Sequence, residues 1–230
     1  EQFLGIQTRT AAHPVLSTMF IGVFVKIGQL LGHPNMGVFL YTVSQLFIVS
    51  ILVSFSINLV YGLTKRAGSL LAVSLLIALL PSINGTVILA TKDIIFSGFF
   101  VLYIVTLAMF FLDEKKFFQD KSWIYHSLSI IFMLLFRYNT IHFIGLSLIV
   151  YILAEIVGRK RIIRKTSLVL LTIATLFIGS GMNRVLVSVF AEKDLTPNRR
   201  EMLSLPFQQT ARYIKYHEDE ISAEDKEIIE

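Results

Sequence analysis

Apolar residues come in long blocks broken by short polar clusters, and the block lengths predict helices rather than strands. Residues 37–63, 94–112 and 167–190 are each long enough, at about 1.5 Å per residue, to cross a hydrocarbon core of roughly 30 Å. Residues 69–82, stopped by Pro81, and residues 124–136 and 141–157 are shorter apolar helices. The 124–136 block makes only about 20 Å of helix. Either such helices continue through the polar breaks, or the breaks are irregular backbone shielded inside the protein. Asn84-Gly85 is a turn pair within residues 83–91. Residues 14–32 pattern differently: Thr18, Gly22, Lys26, Gln29 and His33 fall along one side, with Leu16, Phe20, Val23, Ile27, Leu30 and Leu31 opposite. A helix of that kind can lie along a membrane surface instead of crossing it.

The expected fold is all-α, a polytopic membrane protein in three parts. Residues 1–36 form a loop and surface helix, 37–190 a membrane-embedded bundle of about six helices, and 191–230 a polar helical tail. In the tail, Ser204 with Pro206 suits a helix start leading into Phe207. Composition agrees, since 54% of the 230 residues are hydrophobic and only 16% are charged, more apolar than a soluble domain of this length. The formal charge of +5 sits in short clusters between apolar runs, a distribution that fits membrane topology and not nucleic-acid binding. Cysteine is absent, which excludes a disulfide framework and a thiolate metal site. The chain opens at Glu1 without a methionine and stops inside a helical pattern, so a longer parent protein is expected.

Charge placement predicts sidedness. Residues 64–66, 113–123 and 159–165 hold two, three and five Lys/Arg, whereas 83–93 and 137–140 hold one each. The first set is expected on the cytoplasmic side and the second outside, with the tail, in a multi-pass cell membrane protein. Lys92-Asp93 and Arg137-Tyr138-Asn139 therefore interrupt apolar runs near the outer boundary. Ions there are costly and mark binding or reaction sites, although helix-end residues reaching into headgroups give the same pattern.

Several segments together resemble one group. His13-Pro14-Val15-Leu16, a helix carrying Lys26, and Gly37 leading into a span with basic residues at its end resemble the first external loop and second span of GT-C glycosyltransferases. That superfamily includes protein mannosyltransferases and the lipid A aminoarabinose transferase. Thr91-Lys92-Asp93, and the external run from Glu201-Met202-Leu203-Ser204 through Pro206, Gln208 and Gln209 to Ala211-Arg212, are most similar to a less characterised Gram-positive branch.

The resemblance implies that residues 14–32 are a juxtamembrane helix and that residues 1–13 are external. It also implies transfer of a sugar from a polyprenyl-phosphate carrier to a cell-envelope glycan or polymer at the outer face. Such chemistry needs a carboxylate to deprotonate the acceptor and cations to hold the departing phosphate. Asp93 is the candidate catalytic acid, able instead to bind a divalent metal, orient the acceptor or pair with Lys92. Lys92, Arg137 and Arg212 are candidate phosphate ligands, and His13, Asn139, Gln208 and Gln209 candidate substrate contacts. The family's general base is usually an acid just after the first span, so it is expected upstream and the fragment alone is expected to be inactive. His126 and His142 lack partners at ligand spacing and are expected to be buried, hydrogen-bonded histidines. A transporter or flippase for a lipid-linked or anionic substrate would show similar broken helices and buried ions.

Overall fold

A computed structural model describes residues 13–158, 162–191 and Arg212. Among these, helix follows helix with no strand: α1 Val15–Leu30, α2 Pro34–Thr64, α3 Ala67–Leu79, α4 Pro81–Val87, α5 Lys92–Leu112, α6 Glu114–Gln119, α7 Ser122–Phe136, α8 Thr140–Gly158 and α9 Ile162–Phe190. Prolines set three of the starts. Pro14 caps α1 in an extended conformation, and Pro34 and Pro81 open the first turns of α2 and α4. Proline is favoured there because its missing N–H has no partner in a first turn anyway.

Among the described residues, three helices are long and apolar enough to cross a membrane: Asn35–Thr64, Lys92–Leu112 and Thr166–Phe190. Only 6% of the most apolar window of α2 is buried, so its hydrophobicity serves the surroundings more than the core. Leu79, Leu112, Phe177 and Val189 are likewise exposed. An apolar exterior this extensive is foreign to a water-soluble monomer and suits lipid.

Packing runs from α1 to α2, α2 to α5, α5 to α7 and α7 to α9. Helices α2 and α5 point the same way. Gln45 is level with residues 87–89, Leu52 would touch any Cβ added at Gly98, and the Gly62 carbonyl accepts from Lys116 Nζ at 2.6 Å beyond the end of α5. Helix α7 returns along α5, and α9 accompanies it upward, Thr175 bonding Ser127 and Gly179 seated against Leu134. Tyr103, Ile130, Met133, Leu134 and Ile144 form one core cluster, and Met109, Phe110, Phe117, Tyr151 and Leu168 another.

Helix α1 differs from the amphipathic reading. Its inner face is made of small residues and rings: Ser17, Gly22 and Gly28 are buried, and Phe20 and Phe24 meet the Tyr41 ring edge-on. Gly22, expected on the polar side, faces inward, while Val23, Ile27 and Leu30 of the apolar side point away from the bundle. The cause is a close backbone crossing. A Cβ on Gly28 would press into the Gly37 backbone, and one on Gly37 into Phe24 and Val25, so α1 approaches α2 through glycine and not through its leucines. Asn84-Gly85 also departs from expectation, lying inside α4; the breaks fall instead at Leu80-Pro81 and at residues 88–91.

Candidate functional site

The described connections of the two sets occupy opposite ends of the bundle. One end holds Lys65, Arg66 and residues 113–121. At the other end, His13, residues 88–93 and residues 137–139 converge.

Asp93 lies in the first turn of α5, where a carboxylate is favoured by the helix dipole. Arg137 is the C-cap of α7, where a cation is equally favoured. The antiparallel pairing of these helices brings Arg137 Nη1 to 3.3 Å from Asp93 Oδ1. Oδ1 is itself shielded from solvent and receives no aligned hydrogen bond, so the contact is an ion pair without hydrogen-bond geometry. Both side chains remain about half exposed, 46% for Arg137 and 49% for Asp93. The Arg137 guanidinium also sits 5.4 Å from the centre of the Phe96 ring. Asp93 thus meets Arg137 across the helix pair. Lys92 is half-buried in the first position of α5. The dipole disfavours a cation there, so helix stability is not what places it.

Tyr138 fastens the same end to α1. Its hydroxyl donates to the His13 carbonyl oxygen at 2.9 Å. Burial pushes the phenol above its ordinary value, and a hydrogen bond with the Val15 backbone works against that rise. His13 is exposed and is held here through its backbone; Asn139 is exposed beside Tyr138. Among the described residues no three His, Asp or Glu side chains gather into a metal-sized cluster.

Two residues that the sequence reading passed over hold residues 88–91. Gln45, fully buried in α2, donates from Nε2 to the carbonyls of Val87 (3.0 Å) and Leu89 (2.8 Å). Tyr41, one turn before it, donates to the Thr91 carbonyl at 3.3 Å. The only signal available beforehand was an amide, one of two with Asn58, in a mostly apolar span.

An aromatic path descends from the ion pair. Phe96 stacks with Phe100, Phe100 meets Phe143 edge-on, and Phe143 borders Tyr103. Below it, a cavity of about 310 Å³ opens between α5, α8 and α9, lined chiefly by Leu107, Phe111, Phe143, Leu146 and Tyr151. Its polar edge is the Tyr103–Ser147 hydroxyl pair at 2.7 Å.

Not every candidate joins this end. Gln208 and Gln209 lie outside the described residues, as does the tail apart from Ala191 and Arg212, the latter exposed. His126 is buried with Nδ1 3.1 Å from Thr106 Oγ1 and its ring stacked on Tyr103, a core role far from the ions. His142, expected to be buried, is exposed because it falls in the first turn of α8, on the side away from Ile144.

A family model described as a family of unknown function, DUF6020, matches residues 7–230. No curated protein and no solved structure matches the chain.

Proposed function

We propose that this member of DUF6020, the family of unknown function to which the chain belongs, is a multi-pass membrane glycosyltransferase of GT-C type. In this reading it moves a sugar from a polyprenyl-phosphate carrier to a cell-envelope acceptor at the external face. The observation that carries the proposal is the meeting of Asp93 and Arg137, 3.3 Å apart, at the bundle end that also gathers Lys92, Tyr138 and His13.

Helix lengths support an outer-boundary position for that end. The 21 residues of α5 make about 31 Å of helix, close to the hydrocarbon thickness, so Lys92 and Asp93 start at its edge. The 31 residues of α2 make about 46 Å, which leaves roughly 16 Å of overhang. Helix α1 packs on the overhanging part, around Gly37 and Tyr41. It then lies along the outer surface with Val23, Ile27 and Leu30 dipping toward the lipid and Lys26, also exposed, beside them.

Chemically, the departing phosphate gains negative charge as the sugar leaves. Arg137 offers planar, two-pronged donation to it and Lys92 a compact second charge. Because Asp93 is tied to Arg137, its role is to aim the guanidinium, and acceptor deprotonation falls to the acid that the resemblance gives to the first external loop. The prenyl chain runs along Phe96, Phe100 and Phe143 toward the apolar cavity. The test is transfer of labelled sugar by the full-length protein in proteoliposomes. Lys92→Ala, Asp93→Asn and Arg137→Ala are each expected to lower the rate at least about tenfold, the loss of roughly 1.4 kcal/mol of transition-state stabilisation. Wild-type rates in all three would remove the assignment.

A further inference from the structure

We infer that Gln45 is a positioning residue of this site: with Tyr41 it makes α2 a splint that keeps residues 88–91 unwound, so that Lys92 and Asp93 open a new helix beside Arg137.

Helix α4 ends at Val87, and the last carbonyls of a helix have no partner within it. In water these groups would be hydrated. Where they face the fully buried Gln45 side chain they are screened from water and need donors from the protein. The connection satisfies little of this itself. Leu89 N–H bonds the Thr86 carbonyl and Thr91 N–H the Leu89 carbonyl, leaving the Val87 oxygen to a side chain. A primary amide has two N–H donors, and both of Gln45's serve this one segment. The orientation follows from those partners, because the flipped amide would set an oxygen against two carbonyl oxygens. The cost is visible on the same side chain. Gln45 Oε1 is buried without a hydrogen-bond partner, a penalty that leucine would not incur. The amide is kept for its donors.

Tyr41 extends the splint outward and braces it. The ring is buried under Phe20 and Phe24 of α1, and the hydroxyl takes the last carbonyl before α5, that of Thr91. Position therefore passes from α1 and α2 through three carbonyls to the turn carrying Lys92 and Asp93. The functional meaning of that turn rests on the glycosyltransferase reading; the splint itself does not.

The chain contains no cysteine, so spin labels can be placed cleanly. One pair goes at Ala90→Cys and Ile141→Cys, across the site. A control pair goes at Lys65→Cys and Gln119→Cys, at the other end. All four positions are exposed. Distances are read by pulsed dipolar spectroscopy on the full chain in lipid nanodiscs, without donor. Gln45→Leu and Gln45→Glu, which both remove the amide donors, are expected to at least double the width of the 90–141 distribution and leave 65–119 unchanged. Tyr41→Phe should broaden 90–141 less, and it decides by the same readout if the Gln45 variants are not recovered folded. An unchanged 90–141 width overturns the inference. Equal broadening of both pairs also overturns it, because that is general loosening. Transfer assays on the same variants separate the two proposals: selective broadening with wild-type transfer leaves the splint standing and sinks the catalytic reading of the turn it holds.

Discussion

Asp93 and Arg137 are close enough to pair and exposed enough to be recruited by something else. A half-exposed ion pair without aligned hydrogen bonds is worth about 0.2–1 kcal/mol after solvent screening. Asp93→Asn and Arg137→Ala should therefore leave thermal unfolding in detergent within a few degrees of wild type while sugar transfer falls at least about tenfold. The exchanged double variant, Asp93→Arg with Arg137→Asp, should unfold a few degrees below wild type, because each charge then opposes its helix dipole, and stay inactive, because it rebuilds the pair but moves the cation. A large loss of stability in the single variants would recast the pair as structural. Tyr138 gives a pH test at the same scale. Burial raises its pKa above the ordinary 10.0 of a tyrosine phenol, so the fold favours the neutral phenol that donates to His13. Its contribution is complete below pH 10.0 and disappears as pH rises through the raised value. A spin label at Leu16 should remain immobile up to about pH 10 and loosen above it, whereas Tyr138→Phe should loosen it at every pH. The ions were legible in the sequence because each breaks an apolar run. Tyr41 and Gln45 were not, since their partners are backbone oxygens some forty to fifty residues away and carry no residue-type signature.

At the scale of elements, the α1–α2 crossing is the most constrained contact. Gly28→Ala and Gly37→Ala set a methyl against backbone of the opposite helix, where no side-chain rotation relieves it. Overpacking of this kind costs about 1–3 kcal/mol, so both variants should unfold at lower temperature. Gly145→Ala is the control. It lies in α8 with open space at its Cβ, and replacing a helical glycine with alanine there should stabilise by about 0.5–1 kcal/mol. Parallel shifts in all three would dismiss the crossing as a special contact. Pro14 marked the start of α1, whereas Pro81, read as the stop of the preceding helix, also opens α4, and Pro34 starts α2 three residues before the expected 37. Asn84-Gly85 misled because turn propensity is local: Pro81 starts a helix that runs over the pair, and the true break at residues 88–91 is fixed from α2. Helix α6 had a readable signal in Asp113, whose carboxylate caps the Lys116 N–H. The facing of α1 was not readable, because glycine counts for nothing in an apolar stripe yet decides which side can come close.

For the whole molecule, six apolar helices, α2, α3, α5, α7, α8 and α9, follow the blocks of the hydropathy pattern, and the lysine-rich connections stand opposite the site. Single cysteines at Ala90 and Ile141 should react with an impermeant maleimide from outside intact cells, and those at Lys65 and Gln119 only after lysis; the reverse would invert the proposed sidedness. The GT-C resemblance extends over segments such as Gln208-Gln209 that lie outside the described residues, so the reading stands on the ionic end of the bundle. Its central claim is that this end recognises the phosphate of a lipid carrier, and equilibrium binding tests that without any transfer step. Full-length protein in nanodiscs should bind a polyprenyl phosphate at least about tenfold more tightly than the uncharged polyprenol, a difference of about 1.4 kcal/mol, and Arg137→Ala should abolish that preference. Equal affinity for the two lipids in the wild type, or a preference that survives Arg137→Ala, would contradict it.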